Sequence, residues 1–364
     1  MSPSNIYLHA LRSVEGIGAR RLLRIIKLFG SAQKAYNASP QSLLDLKLRP
    51  AIVSSFEEMK ETMNLKQELS QLKKNNIELV SIYDAGYPDL LKKIFDPPPL
   101  LYLKGDRELL RTRKLAIVGT RQCSSYALKV TRKIIASLIN QDVCTVSGLA
   151  RGIDYCVHKY SLEFDIPTIA VLGCGLRSFT GNGQMRQKCF DTICEKGLVI
   201  SEFPPDQGGQ PQNFPLRNRV ISGLAKSVLV VEAPEKSGAL ITAANALDQN
   251  RDVIAVPGPI DSPNSLGANF LIRDGATILT QAEDLPQLLD CEMGCTKKSS
   301  VLISGTDLTG SERAIVKALQ KEPTTFDNLI TQTNLKSEKL NSALGKLLLR
   351  NIISEDSPQL YSIA

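Results

Sequence analysis

The chain predicts an α/β fold with a mostly parallel sheet covered by helices on both faces, and three observations carry that reading. Nine short β-prone runs follow one another from residue 77 to residue 279: IELVSIY, LLYL, LAIV, VCTV, TIAVL, LVIS, SVLVV, VIAV and TIL. Stretches of helical spacing separate nearly all of them, so neighbouring strands can be joined by crossovers. The runs are continuously apolar instead of alternating, as strands buried on both faces are.

The first segment, residues 1–76, reads as a small helical domain of the SAM or helix-hairpin-helix type. Short helices occupy residues 5–38 around Val14-Glu15-Gly16-Ile17-Gly18, and residues 52–76 read as one exposed, charged helix. Glycines at i and i+2 between two helices let backbone amides approach a phosphate, and Arg20, Arg21, Arg24 and Lys27 follow at once. The charges equally suit a solvated face, and both readings stay open. Residues 1–76 hold twelve Lys/Arg against six Asp/Glu, residues 77–306 hold 25 against 24, and residues 307–364 hold seven against seven. An anion site in the middle segment therefore needs local clustering.

Residues 77–291 form the sheet domain. LAIV stops at Gly119-Thr120-Arg121, and Ser124-Ser125 opens a helical run to Ile139. A buried strand, a tight turn and a helix N-terminus direct backbone N–H groups and the helix dipole toward an anion, with Arg121 adding a fixed positive charge. Small or polar residues recur after the later runs: Ser147-Gly148-Leu149-Ala150-Arg151-Gly152, Gly173-Cys174-Gly175, Glu202-Phe203-Pro204, Glu232-Ala233-Pro234 with Ser237-Gly238, and Pro257-Gly258. Ligands of open parallel sheets bind outside the carboxyl ends of the strands, so these loops are expected to line one crevice.

Between LVIS and SVLVV lies QNFPLRNRVISGLA. Here Arg217 and Arg219 flank Asn218 at an expected helix start, where guanidinium groups and free amides can hold a phosphodiester. Phe214 precedes them on a proline-bounded loop and offers a platform for a base. The competing reading buries Phe214 in the core and pairs the arginines with Glu202 or Glu232.

A linker, residues 292–307, leads to residues 308–364, which read as three helices and a hairpin, a winged-helix outline. Thr309 or Ser311 caps the first helix, Thr324 or Thr325 starts the second, and Ser337 starts a third with Leu340, Leu344, Leu347 and Leu348 on one face. Without a basic face this domain is expected to contact protein, or to regulate the rest of the chain, ahead of reading duplex DNA.

Eight cysteines lie scattered without a CxxC pair, and Cys189/Cys194 and Cys291/Cys295 have no second pair at zinc-ligand spacing. Neither a metal nor a disulfide framework is expected. The phosphate-loop word GxxxxGK[ST] and the GxGxxG fingerprint with its following acid are both absent, so no ATP or NAD cofactor is implied. No run reaches membrane-spanning length and the N-terminus lacks a signal-peptide order, which leads to the expectation of a cytoplasmic protein without membrane contact.

The words AIVGTRQCSSYA, VSGLARGIDYCVHKYSL, TIAVLGCGL, LVISEFPP, NFPLRNRVISGLAKSVLVVEAPEKSGALITAANAL and RDVIAVPGPIDSPNSLGANFLIRDGA, with the winged-helix tail, resemble the DNA-processing protein A family (DprA/Smf). The resemblance implies a Rossmann-like, noncatalytic domain that binds single-stranded DNA, dimerises, protects incoming DNA and helps load RecA recombinase during natural transformation. It implies that Arg121 contacts the DNA backbone and Phe214 stacks on a base, and it puts a dimer surface near Asn269, Ile272 and Ile278; with the loop reading above, the expected DNA contacts are Gly119, Thr120, Arg121, Ser147, Gly148, Phe214, Arg217, Asn218, Arg219, Ser237 and Gly238. One segment departs from the family: LRSFTGNGQMR stands where a Tyr-Pro and a later Asn are usual, so Arg177 or Arg186 has to supply the local charge. The alternative is a Rossmann-like nucleotide hydrolase using Glu202, Glu232 and Asp154 as acid/base groups.

Overall fold

The computed structural model describes residues 4–181, 183–291, 309–319, 324–333, 335–349, 353–357 and 360–363. The chain divides into two compact units, Met1–Cys295 and Thr296–Ala364. The expected linker, residues 292–307, and Cys295 lie outside the described residues.

The first unit holds nine strands: β1 (Glu78–Ser81), β2 (Leu100–Gly105), β3 (Lys114–Val118), β4 (Cys144–Ser147), β5 (Thr168–Leu172), β6 (Leu198–Ser201), β7 (Ser227–Val230), β8 (Asp252–Ala255) and β9 (Thr277–Ile278). Every apolar run of the sequence reading is a strand. They form one sheet in the order β1-β2-β6-β5-β4-β3-β7-β8-β9. From β6 to β9 all neighbours are parallel, whereas β1–β2 and β2–β6 pair antiparallel.

Alternate residues of one strand enter opposite cores. Leu115 and Ile117 of β3 join Ile134 and Ile135 of helix Ser125–Ser137, while Ala116 and Val118 join Val220, Ile221 and Leu224 of helix Asn213–Leu224. That two-sided burial is why these strands read as unbroken apolar runs. Starting at β3 the chain builds outward through β4, β5 and β6, then returns to the other side of β3 with β7. The order reverses at β3, so the carboxyl ends of β4, β3 and β7 open onto a switch-point crevice.

The N-terminal helices Ser4–Ser13, Ala19–Phe29 and Ala32–Tyr36 match the expected short helices. Residues 52–76 do not form one exposed helix. The segment is two helices, Pro50–Thr62 and Leu65–Lys74, because the Asn64 side chain caps the second by accepting from the amides of Lys66 and Gln67. Phe56, Met59 and Leu72 are buried in a core shared with Leu79, Leu100 and Tyr102 of the sheet. Asn5 donates to the Leu79 carbonyl (3.1 Å), and His9 Nδ1 lies 2.9 Å from the Tyr102 hydroxyl. The helical segment therefore packs as part of the sheet's own unit.

The second unit has helices Gly310–Leu319, Phe326–Thr333 and Ser337–Leu349, with a three-stranded antiparallel sheet from Thr324–Thr325, Ile353–Ser357 and Leu360–Ile363. It is the expected winged helix. Glu312 reaches back to the Thr309 amide (2.8 Å), half of a capping box, and Leu340, Leu344 and Leu347 fill the core while Leu348 packs half-buried beside it.

Candidate nucleic-acid interface

The turn after β3 is fixed by a buried carboxylate. Glu232, just past β7, accepts from the Ser124 amide (2.8 Å) and hydroxyl (2.6 Å), and its carbonyl accepts from the Thr120 amide (2.7 Å). Ser124 in turn caps helix Ser125–Ser137 by accepting from the Ala127 amide. The loop so anchored holds Arg121 out in solvent, with its guanidinium carbon 5.3 Å from the centroid of the Phe214 ring. Phe214 is half-buried in the first turn of helix Asn213–Leu224, and the expected loop position is corrected accordingly. A Cβ on Gly173 would stand 2.8 Å from the Phe214 ring, so the β5 loop needs glycine for the ring to lie where it does.

Arg121 and Phe214 sit where two cavities meet. One, of about 580 Å³, is lined by Gly119, Thr120, Ala150, Asp154, Lys236 and Ser237–Gly238. The other, of about 280 Å³, is lined by Gly148, Arg151, Gly173, Phe179 and Arg186. Arg217 borders both. Five cations thus face the crevice against a single carboxylate, Asp154. Of the six loops expected to line it, those after β3, β4, β5 and β7 do so with the residues named in the sequence reading. The loop after β6 also reaches it, through Gly209 and Pro211, while its Glu202 is turned to an internal partner; the loop after β8 does not, and Gly258 there pairs with the Asn269 side-chain amide (3.1 and 3.0 Å).

The arginines of the RNR word do not open a helix. They lie a turn or more inside Asn213–Leu224, and both are buried. Arg217 donates to the carbonyls of Gly148 (2.7 Å) and Val171 and to the Asn218 side chain (3.1 Å). A Cβ on Gly148 would come within 2.6 Å of that guanidinium, so glycine lets the β4 loop close over it. Burial pulls Arg217 down to about 10, partly offset by the Asp154 carboxylate, and burial raises Asp154, with the Arg217 charge opposing.

Arg219 is buried and pairs with Glu202 (2.6 Å) and Asp96 (3.3 Å), the carboxylate pairing of the competing reading. Ser147 is also corrected: it is buried and donates to the Ile117 carbonyl (2.7 Å). Asn218 donates to the Gly238 carbonyl (3.1 Å) and so ties helix Asn213–Leu224 to the start of helix Gly238–Asp248. Ser237 caps helix Gly238–Asp248.

Of the departing segment, Asn182 lies outside the described residues. Arg186 enters the smaller cavity, donates to the Leu149 carbonyl (3.1 and 2.9 Å) and lies 5.6 Å over Phe179, which stacks on Phe190. Arg177 pairs instead with Asp206, beside a different cleft. The sequence reading names Phe179 only as part of the departing segment and does not single out Arg151 or Lys236. Arg151 and Lys236 do sit in loops it singled out, and that placement was their signal.

Each of the three carboxylates of the hydrolase alternative has a partner within the fold. Glu232 holds Ser124, Glu202 holds Arg219, and Asp154 accepts from the Gly148 amide (3.2 Å) opposite Arg217. Among the described residues no group of three or more His, Cys, Asp or Glu could hold a metal, and no helix is long and apolar enough to cross a membrane.

The model of DNA recombination-mediator protein A matches residues 78–290, and that of the DprA winged helix domain matches residues 304–355. Protein Smf of Synechocystis sp. is 32% identical over 98% of both chains, and DNA processing protein DprA of Streptococcus pneumoniae is 42% identical over 56% of this chain and 72% of its own. The X-ray structure of S. pneumoniae DprA superimposes with a TM-score of 0.68 at 34% identity, covering 78% of this chain and 98% of that one. DNA processing protein A from Helicobacter pylori, described for its single-stranded DNA binding mode, superimposes with a TM-score of 0.53 at 26% identity, covering 59% of this chain and 97% of that one. The chain belongs to the DNA recombination-mediator protein A family, the DprA/Smf proteins.

Proposed function

We propose that this protein binds single-stranded DNA in the switch-point crevice without chemical turnover, protects incoming strands and helps load RecA on them during natural transformation, acting as a cytoplasmic homodimer. The observation that carries the reading is the exposed Arg121 guanidinium set over the half-buried Phe214 ring at the junction of two cation-lined cavities. A flat aromatic with an arginine on its face accepts any base, and fixed cations on either side track phosphates. Arg121, Arg151, Arg186 and Lys236 supply the charge, the loops of Gly119, Thr120, Gly148, Ser237 and Gly238 bring backbone close to the strand, and Arg217 and Asn218 shape the floor. The crevice is a local cluster without a broad basic face, so duplex gains little from it.

The noncatalytic reading is supported by the internal engagement of Glu202, Glu232 and Asp154, which leaves the crevice without a free acid/base pair. For the dimer, the two-residue edge strand β9 ends the sheet and leaves Ile278 44% exposed beside the half-buried Ile272. Asn269 is held by Gly258, so the surface is assigned to the two isoleucines. Titration of single-stranded and duplex oligonucleotides tests the function. Preference for single strands is expected, with the log–log salt slope changing by about −0.7 for each phosphate neutralised. Equal affinity for duplex, or release of base from a nucleoside monophosphate, contradicts it.

A further inference from the structure

Another arginine-on-phenylalanine pair lies outside the crevice, between Arg20 of helix Ala19–Phe29 and Phe95 in the loop before β2. The Arg20 guanidinium carbon is 4.8 Å from the centroid of the Phe95 ring, and Phe95 is 89% exposed. Arg20 also lines a groove of about 250 Å³ with Arg21, Arg24 and Lys47, and its wall contains no carboxylate. The groove's exposed apolar side chain is Leu28. Arg20 and Arg24 are one helical turn apart on helix Ala19–Phe29, so their charges project together. Two contacts restrain the charge here without cancelling it: Asp96 lies 3.6 Å from Arg20 but is shared with the buried Arg219, and Arg21 donates to the Gly16 carbonyl.

An exposed aromatic capped by an arginine beside a carboxylate-free groove repeats the chemistry of Arg121 and Phe214. Stacked bases and a phosphate chain satisfy both parts, whereas an acidic polypeptide would use the cations and leave the ring idle. We propose that this face is a second contact for single-stranded DNA, engaged by strands long enough to leave the crevice. The inference rests on the crevice being a single-strand site. It also gives the +6 excess of residues 1–76 a ligand.

The test uses the full chain and two oligothymidylates, one of about six nucleotides that fills the crevice alone and one of about 40. R24E/K47E and Phe95→Ser, all at exposed positions, should bind the short strand like the parent. On the long strand R24E/K47E should lose at least about tenfold in affinity and shallow the salt slope by about 1.4, the share of two phosphates. Phe95→Ser should lose about fivefold or more with the slope unchanged. Parental binding of the long strand by both variants overturns this inference alone, and so does an equal loss on the short strand. If R24E/K47E weakens binding of polyglutamate as strongly as of the long strand while Phe95→Ser changes neither, the face belongs to an acidic protein segment and the inference fails. A parent that binds neither oligonucleotide overturns the crevice reading first.

Discussion

Arg121 lines the crevice, whereas Arg219, on helix Asn213–Leu224, does not, and the two arginines have opposite surroundings. Arg121 is exposed, is held only by the backbone of its loop and lies over an aromatic face; Arg219 is buried between Glu202 and Asp96. Both belong to short words, GTR and RNR, that look equally suited to a phosphate. The difference is set by where the carboxylates lie. The carboxylate beneath the GTR turn, Glu232, is consumed by Ser124, which leaves Arg121 its full charge for a ligand. The carboxylates around RNR reach the arginine itself. One word is therefore tied into the fold, and the other is left exposed at the crevice.

The largest expected effect breaks the buried ion pair. Arg219→Ala strands Glu202 as a buried, unpaired carboxylate and should cost about 3–5 kcal/mol of folding stability, read from urea denaturation. Loss of DNA affinity without loss of stability would reverse the assignment. Next comes Phe214→Ala, expected to remove about 1–3 kcal/mol of binding while the salt slope and the stability stay near parental.

Buried polar groups should announce themselves through pH as well. His158, fully buried and 2.8 Å from the Thr168 hydroxyl, is held down to about 3 chiefly by burial. Its folded pKa lies below the unfolded value near 6.5, so the unfolded chain takes up the proton first and stability is lost as pH falls from about 6.5 toward 3. His158→Asn should flatten that part of the stability profile by up to about 1.4 kcal/mol per pH unit, and an unchanged profile contradicts the burial account. The smallest effect is expected from deleting residues 307–364, whose Lys336, Lys339 and Lys346 sit in an electrically neutral unit; single-strand affinity should stay within about twofold, the small phosphate share such a unit can supply.

The strands were legible because two-sided burial leaves a mark in every residue of a run, as in LAIV and TIAVL. Their direction was not. The runs of β1 and β2 read like the others, and only their pairing with β6 reveals that they are antiparallel. The break at Asn64 was hidden because Met63 and Leu65 continue the helical period on both sides of it. The burial of Arg219 was half-legible: Glu202 was named as a partner, but Asp96 lies far upstream in a proline-rich loop that nothing local connects to the RNR word. Arg151 and Lys236 were missed because a single cation in a loop shows its use only once the loops are brought to one edge of the sheet.

The central claim is that Arg121 and Phe214 make separable contacts with one strand, and a salt titration of single-stranded DNA binding by Arg121→Ala beside Phe214→Ala tests it most directly. The account predicts that Arg121→Ala weakens binding and shallows the log–log slope by about 0.7, the share of one phosphate, while Phe214→Ala weakens binding at every salt concentration without moving the slope. Parental affinity in Phe214→Ala, or an unchanged slope in Arg121→Ala, would contradict it.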